Sequence, residues 1–278
     1  MFIGLVLGLA FQNHLLNGQD KQREPVMDSL YYHWERFSVN LGVFLTTMNS
    51  DISISGTRTG LGVNLNLEEA LGLTTTSFVV RSEASYNFGS KLRSHVRLGY
   101  FGLIRNSSKT LEEEIAIGDT IFPIGTQISS RFDLHIIRAL YDYAFYQDSR
   151  ISLGVSGGIY VLPVNFSVGT QNLIDESAKF IAPLPVVGMR NIFFITPKVL
   201  LKQNLEVLYL KTAQIEGRIS DLNVYLEYNP FRNFGIGAGY NSFNFRFSSK
   251  QEVSKQFEFK GSIDTGFSGF LLYAKYYF

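Results

Sequence analysis

The sequence contains no cysteine. That excludes a disulfide framework, a thiol nucleophile and a thiolate metal site. It has only 7 prolines in 278 residues and a single tryptophan. No apolar run reaches the roughly 18 to 20 residues that a membrane-crossing helix needs, so a membrane could be crossed only by strands. Net charge is nearly absent: 25 Lys+Arg face 24 Asp+Glu, and composition points to neither an acidic nor a basic partner. There is no P-loop, Rossmann fingerprint or EF-hand spacing, and no basic patch outside the strands described below. No metal, cofactor or nucleic acid is therefore expected.

Aromatics and glycine are abundant, with 24 Phe, 15 Tyr and 25 Gly. Together with the scarcity of proline, this composition favours strands and turns over helices. The chain opens "MFIGLVLGLAFQNHLLNGQD". Residues 2–11 have the length of a signal-peptide apolar core, although nothing basic precedes them. Residues 1–18 are expected to be an atypical signal peptide, 19–35 a periplasmic segment, and 36–278 one domain. The alternative for the start is a disordered or interfacial stub.

From Arg36 onward the pattern has period two. Phe37, Val39, Leu41, Val43 and Leu45 alternate with Ser38, Asn40, Gly42 and Phe44. Phe78, Val80, Ala84, Tyr86 and Phe88 stand opposite Arg81, Glu83 and Asn87; Val96, Leu98, Tyr100 and Ile104 stand opposite His95, Arg97 and Arg105. Similar alternation runs through 151–161, 199–209 and 221–228. Repetition over segments this long marks strands with two unlike faces. In 131–146 the apolar parity begins even (Phe132, Leu134, Ile136) and ends odd (Tyr141, Tyr143, Phe145). In 233–247 it changes the same way, toward Phe243, Phe245 and Phe247. An inserted residue, a β-bulge, gives such a flip. So does a strand that leaves the membrane and loses its constraint. The pattern leaves both open.

Turns alternate in length. "NFGSK", "YQDSR", "ITPK" and "NPFRN" are short, whereas 49–74, 106–127, 167–182 and 248–264 are long. Short turns at one end and long loops at the other fit an outer-membrane barrel. The fold expected is all-β: one closed antiparallel barrel of about ten strands, within a range of eight to twelve. The strands are placed at 36–47, 75–88, 91–106, 129–146, 150–166, 183–195, 198–212, 217–229, 233–247 and 266–278. Segments 51–66 and 255–262 are expected as hairpin arms or further strands.

The chain ends "GFSGFLLYAKYYF". This final strand, with Phe270, Leu272, Tyr276 and Phe278 on one face, resembles the signal by which the barrel-assembly machinery selects bacterial outer-membrane proteins. In topology 36–278 resembles the small OmpA/OmpW-like barrels. "GLGVNLNLEEALGL" (60–73) resembles a segment that follows the first strand in a group of outer-membrane barrels without assigned activity. The resemblance implies a Gram-negative outer membrane, surrounding lipid and lipopolysaccharide, and the assembly machinery as a partner. It implies no activity and no oligomeric state.

If the apolar parity faces lipid, the other parity faces a lumen. The expected lumen set is Arg81, Glu83, Arg93, His95, Arg97, Arg105, Arg131, Asp133, His135, Arg138, Asp142, Arg190, Lys202, Glu206, Asp221, Glu227 and Lys275. Arginine suits multidentate pairing with carboxylates where water is scarce. A barrel of about eight strands is filled by its own side chains, and ten lie near that limit. The expectation is a salt-bridged plug, with a structural or interaction role carried by the loops. The first alternative is a narrow porin-like path for ions or small solutes, or a lateral path for apolar molecules. A lipid-acting hydrolase is a remote third: His135, Asp133, Ser129 and Ser130 make a loose inventory without a known local motif. The glycines of "GIGAGY" (235–240) face the expected lumen and leave room for bulky partners such as the arginines or Tyr160. Glu112, Glu113, Glu114 and Asp119 read as a solvated acidic loop.

Deleting Phe278 should lower the amount of folded barrel recovered from outer membranes without weakening the strand pattern. Heat-modifiable mobility on gels of membrane fractions reads this out.

Overall fold

Every second side chain of a strand points the same way, so each period-two segment offers one face to lipid and one to the inside. A computed structural model shows how these faces are arranged; it describes residues 34–55, 62–117, 120–170, 176–213, 215–249 and 261–278. The expected signal and most of the N-terminal segment lie outside these residues. In chain order the elements are β1 (Phe37–Ser55), β2 (Gly62–Asn66), α1 (Leu67–Leu71), β3 (Thr76–Phe88), β4 (Ser94–Thr110), β5 (Ile115–Ile117), β6 (Thr120–Phe122), β7 (Gln127–Gln147), β8 (Ile151–Thr170), β9 (Glu176–Thr196), β10 (Val199–Lys211), β11 (Ile215–Tyr228), β12 (Phe234–Ser249) and β13 (Gly261–Tyr277).

Ten of these strands pair in chain order and antiparallel, and β13 closes on β1. β2 pairs only with the end of β1, Asp51–Ser55, and forms the hairpin arm expected at 51–66. β5 and β6 form a separate small hairpin in the long loop after β4. The second expected arm, 255–262, lies mostly outside the described residues.

Pairing partners followed once round the barrel run from Phe37 through Tyr86, Val96, Tyr141, Gly157, Val187, Val207, Ser220, Asn244 and Gly266, and return to β1 at Asn49. The walls are therefore staggered by twelve residues. Ten strands with this stagger tilt by about 40°.

The tilt sets the height. β7 has 21 residues. At about 3.3 Å per residue and about 40° of tilt it rises roughly 50 Å. The apolar band of an outer-membrane barrel is only about 25 Å tall. The upper half of the barrel therefore stands in water, and this explains both parity changes. No bulge occurs at either. Along β7 the even residues from Ile128 to Ala144 are all buried, and along β12 the inward set is odd throughout. Only polarity changes. Near the short turns the outer face is apolar and the inner face charged. Above the band Phe132, Leu134, Ile136, Phe243, Phe245 and Phe247 are buried inside, while Arg131 and Arg246 stand outside. The one register shift in β7 falls at its lower end, between Ala144 and Tyr146.

In the band, Leu41, Val43, Val80, Leu98, Val155, Val187, Leu226, Phe270 and Leu272 are exposed, as the alternation required. This belt is what a bilayer covers. The chain is a transmembrane β-barrel.

Two pairs of neighbouring strands part above the band. β3 and β4 pair only as far as Arg81 and Phe101. Above the end of β3 lies α1, packed against β1 and β4. The Asn66 side chain accepts from the Glu69 N–H at 2.9 Å, Gly72 ends the turn at φ 69°, and Leu67 and Leu71 are wholly buried. β9 and β10 pair only as far as Val187 and Val207. Just beyond stand Pro183 and Pro185, which have no N–H to donate.

Leu98→Arg, on the lipid face, should destabilise the folded barrel by about 2–4 kcal/mol, whereas Asn244→Arg, above the band on the outer wall, should cost at most about 1 kcal/mol. Urea unfolding in lipid vesicles measures both.

Candidate functional site

The lumen in the lower half is lined by the inward parity of every strand, so the side chains of opposite walls meet there. Arg97 on β4 donates Nε to Asp142 Oδ2 at 2.7 Å and Nη2 to Asp142 Oδ1 at 2.7 Å. The same Nη2 reaches Glu206 Oε1 on β10 at 2.8 Å. Arg138 on β7 donates to Glu83 at 2.8 Å and to Asp221 on β11 at 3.1 Å. β4 and β10, like β7 and β11, are four strands apart round a barrel of ten. These bonds therefore cross the lumen.

Asp221 is the hub. Its Oδ2 also accepts from the Tyr160 hydroxyl at 2.8 Å, and its Oδ1 from Asn223 at 2.8 Å and Asn241 at 2.7 Å. Asn223 Oδ1 accepts in turn from Tyr225 at 2.5 Å, Asn241 at 2.9 Å and Arg81 at 3.0 Å. Nearer the short turns Glu227 accepts from Lys202 at 2.8 Å, Lys275 at 2.7 Å and Tyr273 at 2.9 Å. Lys275 also pairs with Glu35. Residue 35, expected in the periplasmic segment, thus enters the network. His95 Nδ1 and Asn87 Oδ1 are 2.6 Å apart.

Above this network lies a layer with no charge. Phe267 stacks on Phe243 at 4.8 Å between centroids and meets Phe101 and Phe44 edge-on at 5.5 and 5.8 Å. All four rings are buried. Higher still, Arg105 pairs with Glu68 of α1, donates to Ser50 Oγ at 2.8 Å and lies 4.9 Å over the Phe132 ring.

Of the lumen set expected from the pattern, Arg81, Glu83, His95, Arg97, Arg105, Arg138, Asp142, Arg190, Lys202, Glu206, Asp221, Glu227 and Lys275 do face inward. Arg93 is half-buried and sits in the turn before β4 begins. Arg131, Asp133 and His135 are corrections: they lie on the outer wall of β7. Arg131 Nε donates to Asp133 at 2.8 Å, and His135 stacks on Tyr100, whose hydroxyl is 3.0 Å from His135 Nδ1. The reason is the polarity change. Above the band Ser129 and Arg131 of β7 are exposed on the outer side, and Asp133 and His135 share that side under partial cover. The phenyl layer escaped the pattern reading, yet the parity change toward Phe243 and Phe247 was its signature.

The inward glycines of 235–240 do leave room, but for different partners. A Cβ on Gly237 would lie 2.2 Å from the Tyr273 ring, and one on Gly239 2.2 Å from the Tyr225 ring. These two tyrosines meet edge-on at 5.8 Å.

No protein-family model matches this chain, and no curated protein matches it by sequence. Several solved structures resemble it. Outer membrane protease OmpT from Escherichia coli aligns with a TM-score of 0.53 and 8% identity, over 87% of this chain and 97% of that one. The translocator domain of autotransporter NalP from Neisseria meningitidis gives 0.47 and 12%, over 99% and 98%. Ail of Yersinia pestis gives 0.37 and 11%, over 87% and 99%. The likeness to OmpT is one of fold.

Asp221→Ala should destabilise the barrel by about 3–5 kcal/mol, because it removes one of the two carboxylates of buried Arg138 and the acceptor shared by Tyr160, Asn223 and Asn241. Lys211→Ala, on an exposed side chain 3.6 Å from Glu216, should change stability by no more than about 0.5 kcal/mol. Denaturant unfolding of the refolded protein compares the two.

Proposed function

We propose that this protein is a plugged outer-membrane barrel whose role is structural or interactive and is exercised at its extracellular rim. The observation that carries this reading is double closure. An ion network crosses the lower lumen and a phenyl layer fills the lumen above it. Both layers set buried side chains across the lumen, so in this reading each would have to open for conduction. In this reading α1 and the long loops form the surface that meets lipopolysaccharide and the environment. The barrel-assembly machinery reads the strand ending at Phe278, and kinship with the small OmpA/OmpW-like barrels belongs to the same proposal.

OmpT is a protease by its name. We do not extend that activity to this chain, because its inventory of candidate groups does not assemble. His135 stacks on the outer wall, Asp133 pairs with Arg131, and Ser130 points to the inside.

A second reading is favoured by one feature, the parting of β9 and β10 beside Pro183 and Pro185. Exposed Ile181, Val187, Tyr209 and Leu210 flank it. A seam of this composition suits lateral passage of an apolar molecule. A short bifunctional maleimide joining Pro185→Cys to Tyr209→Cys would bridge the parted strands and abolish any barrel-dependent transfer of an apolar dye into vesicles.

In planar bilayers the wild type should show no steady conductance. Arg97→Ala or Arg138→Ala alone should stay nearly silent, and either one combined with Phe267→Ala should leak. Steady wild-type conductance that Arg97→Ala alters would overturn the plug reading in favour of a channel.

A further inference from the structure

Among the carboxylates of the ion network Glu206 keeps one buried oxygen, Oε2, without a partner, and the others are held. Both oxygens of Asp142 are held by Arg97. Asp221 serves Arg138, Tyr160 and two asparagines, and Glu227 serves two lysines and a tyrosine. Two guanidinium groups have no carboxylate partner among the described residues, and that of Arg81 lies 5.3 Å over the Phe101 ring. Arg81 is 4% exposed; it donates Nη2 to the neutral Asn223 amide, and its Nη1 is buried with no partner. Arg190 is 8% exposed and makes no hydrogen bond or ion pair among the described residues. A buried charge without a counter-charge is strongly disfavoured.

Both arginines line the same cavity, of ≈ 40 Å³. Lys202 and Arg97 also line it, and Glu83, which Arg138 already holds, is the one carboxylate on its wall. The hydroxyls of Tyr225 and Tyr273 on that wall donate elsewhere. The cavity is therefore rich in N–H donors and poor in negative charge. A water-sized centre needs about 10–15 Å³, so there is room for roughly three. That admits a halide with a water or two, and excludes a sugar phosphate or a nucleotide. The same waters would serve the Oδ1 atoms of Asn40 and Asn204, buried on this wall without a donor.

We propose that this cavity binds a small inorganic anion of chloride's size between the guanidinium groups of Arg81 and Arg190. The anion places a negative charge in direct contact with two guanidinium groups that no carboxylate pairs. It acts as a component of the plug and not as a solute in transit.

The test uses the full refolded chain. Crystals of the wild type grown in sodium bromide should show a bromine anomalous peak between Arg81 and Arg190. Absence of that peak overturns the proposal. In solution, replacing chloride with gluconate at constant ionic strength should lower the thermal unfolding midpoint of the wild type. Arg190→Met should remove this dependence, and Lys211→Met, at the exposed rim, should keep it. Equal midpoints in the two salts, or a dependence that Arg190→Met leaves unchanged, overturn the proposal too. The bromide measurement needs no variant and so decides the matter even if Arg190→Met does not fold.

Discussion

Hydrocarbon offers no partner to a backbone N–H or C=O, so a strand inside it must be paired on both edges. That constraint closes ten strands into a ring. The stagger of twelve then fixes the tilt and the width of the ring. At this width side chains from walls four strands apart can touch, as Arg97 touches Glu206 and Arg138 touches Asp221. The interior is neither a pore nor a free choice of residues. It must be filled, and the charges that fill it must meet opposite charges. The parting of β9 and β10 shows the same constraint from the other side. It begins where two prolines have no N–H to donate, so less hydrogen bonding is lost there than elsewhere in the wall.

Height does the rest. Strands of up to 21 residues outrun the apolar band. Inside the band lipid takes the apolar face, and the alternation leaves polar residues for the lumen. Above it water surrounds the wall, and the apolar face turns inward as in any water-soluble barrel. One backbone with unbroken register therefore carries two opposite patterns in sequence. Phe243 and Ala238 are both small parts of an apolar run in β12, yet one points into the barrel and the other into lipid.

The strand number, the closure, the turn lengths and most of the lumen set were legible because each rests on alternation, which a sequence displays directly. Arg131, Asp133 and His135 were misplaced because alternation names two faces without saying which is wet. That depends on height along the axis, a property of the closed barrel and not of one strand. Glu35 was missed because it precedes the first strand and enters the network only by turning in beside Lys275. The arginine network could be foreseen as a set but not as a set of pairs, since the partners lie 83 or 109 residues apart in the chain. The role of "GLGVNLNLEEALGL" was not legible either. Its Glu68 acquires meaning only where α1 meets Arg105 above the end of β3.

The two layers of the plug constrain the barrel in different ways. Phenyl rings pack without strict direction, and a layer of them tolerates small slips between walls. Arg97 tolerates none of comparable size. Its planar fork is committed to both oxygens of Asp142 on the neighbouring strand β7, and its Nη2 must still reach Glu206 on β10. Arg138 does the same between β3 and β11. A lysine, a single point charge on a flexible stem, fixes no such angle. It is found instead around Glu227, where Lys202 and Lys275 share one carboxylate close to the short turns. The arginines are thus placed where walls must be held at a defined distance and register, and the lysines where the turns already hold them.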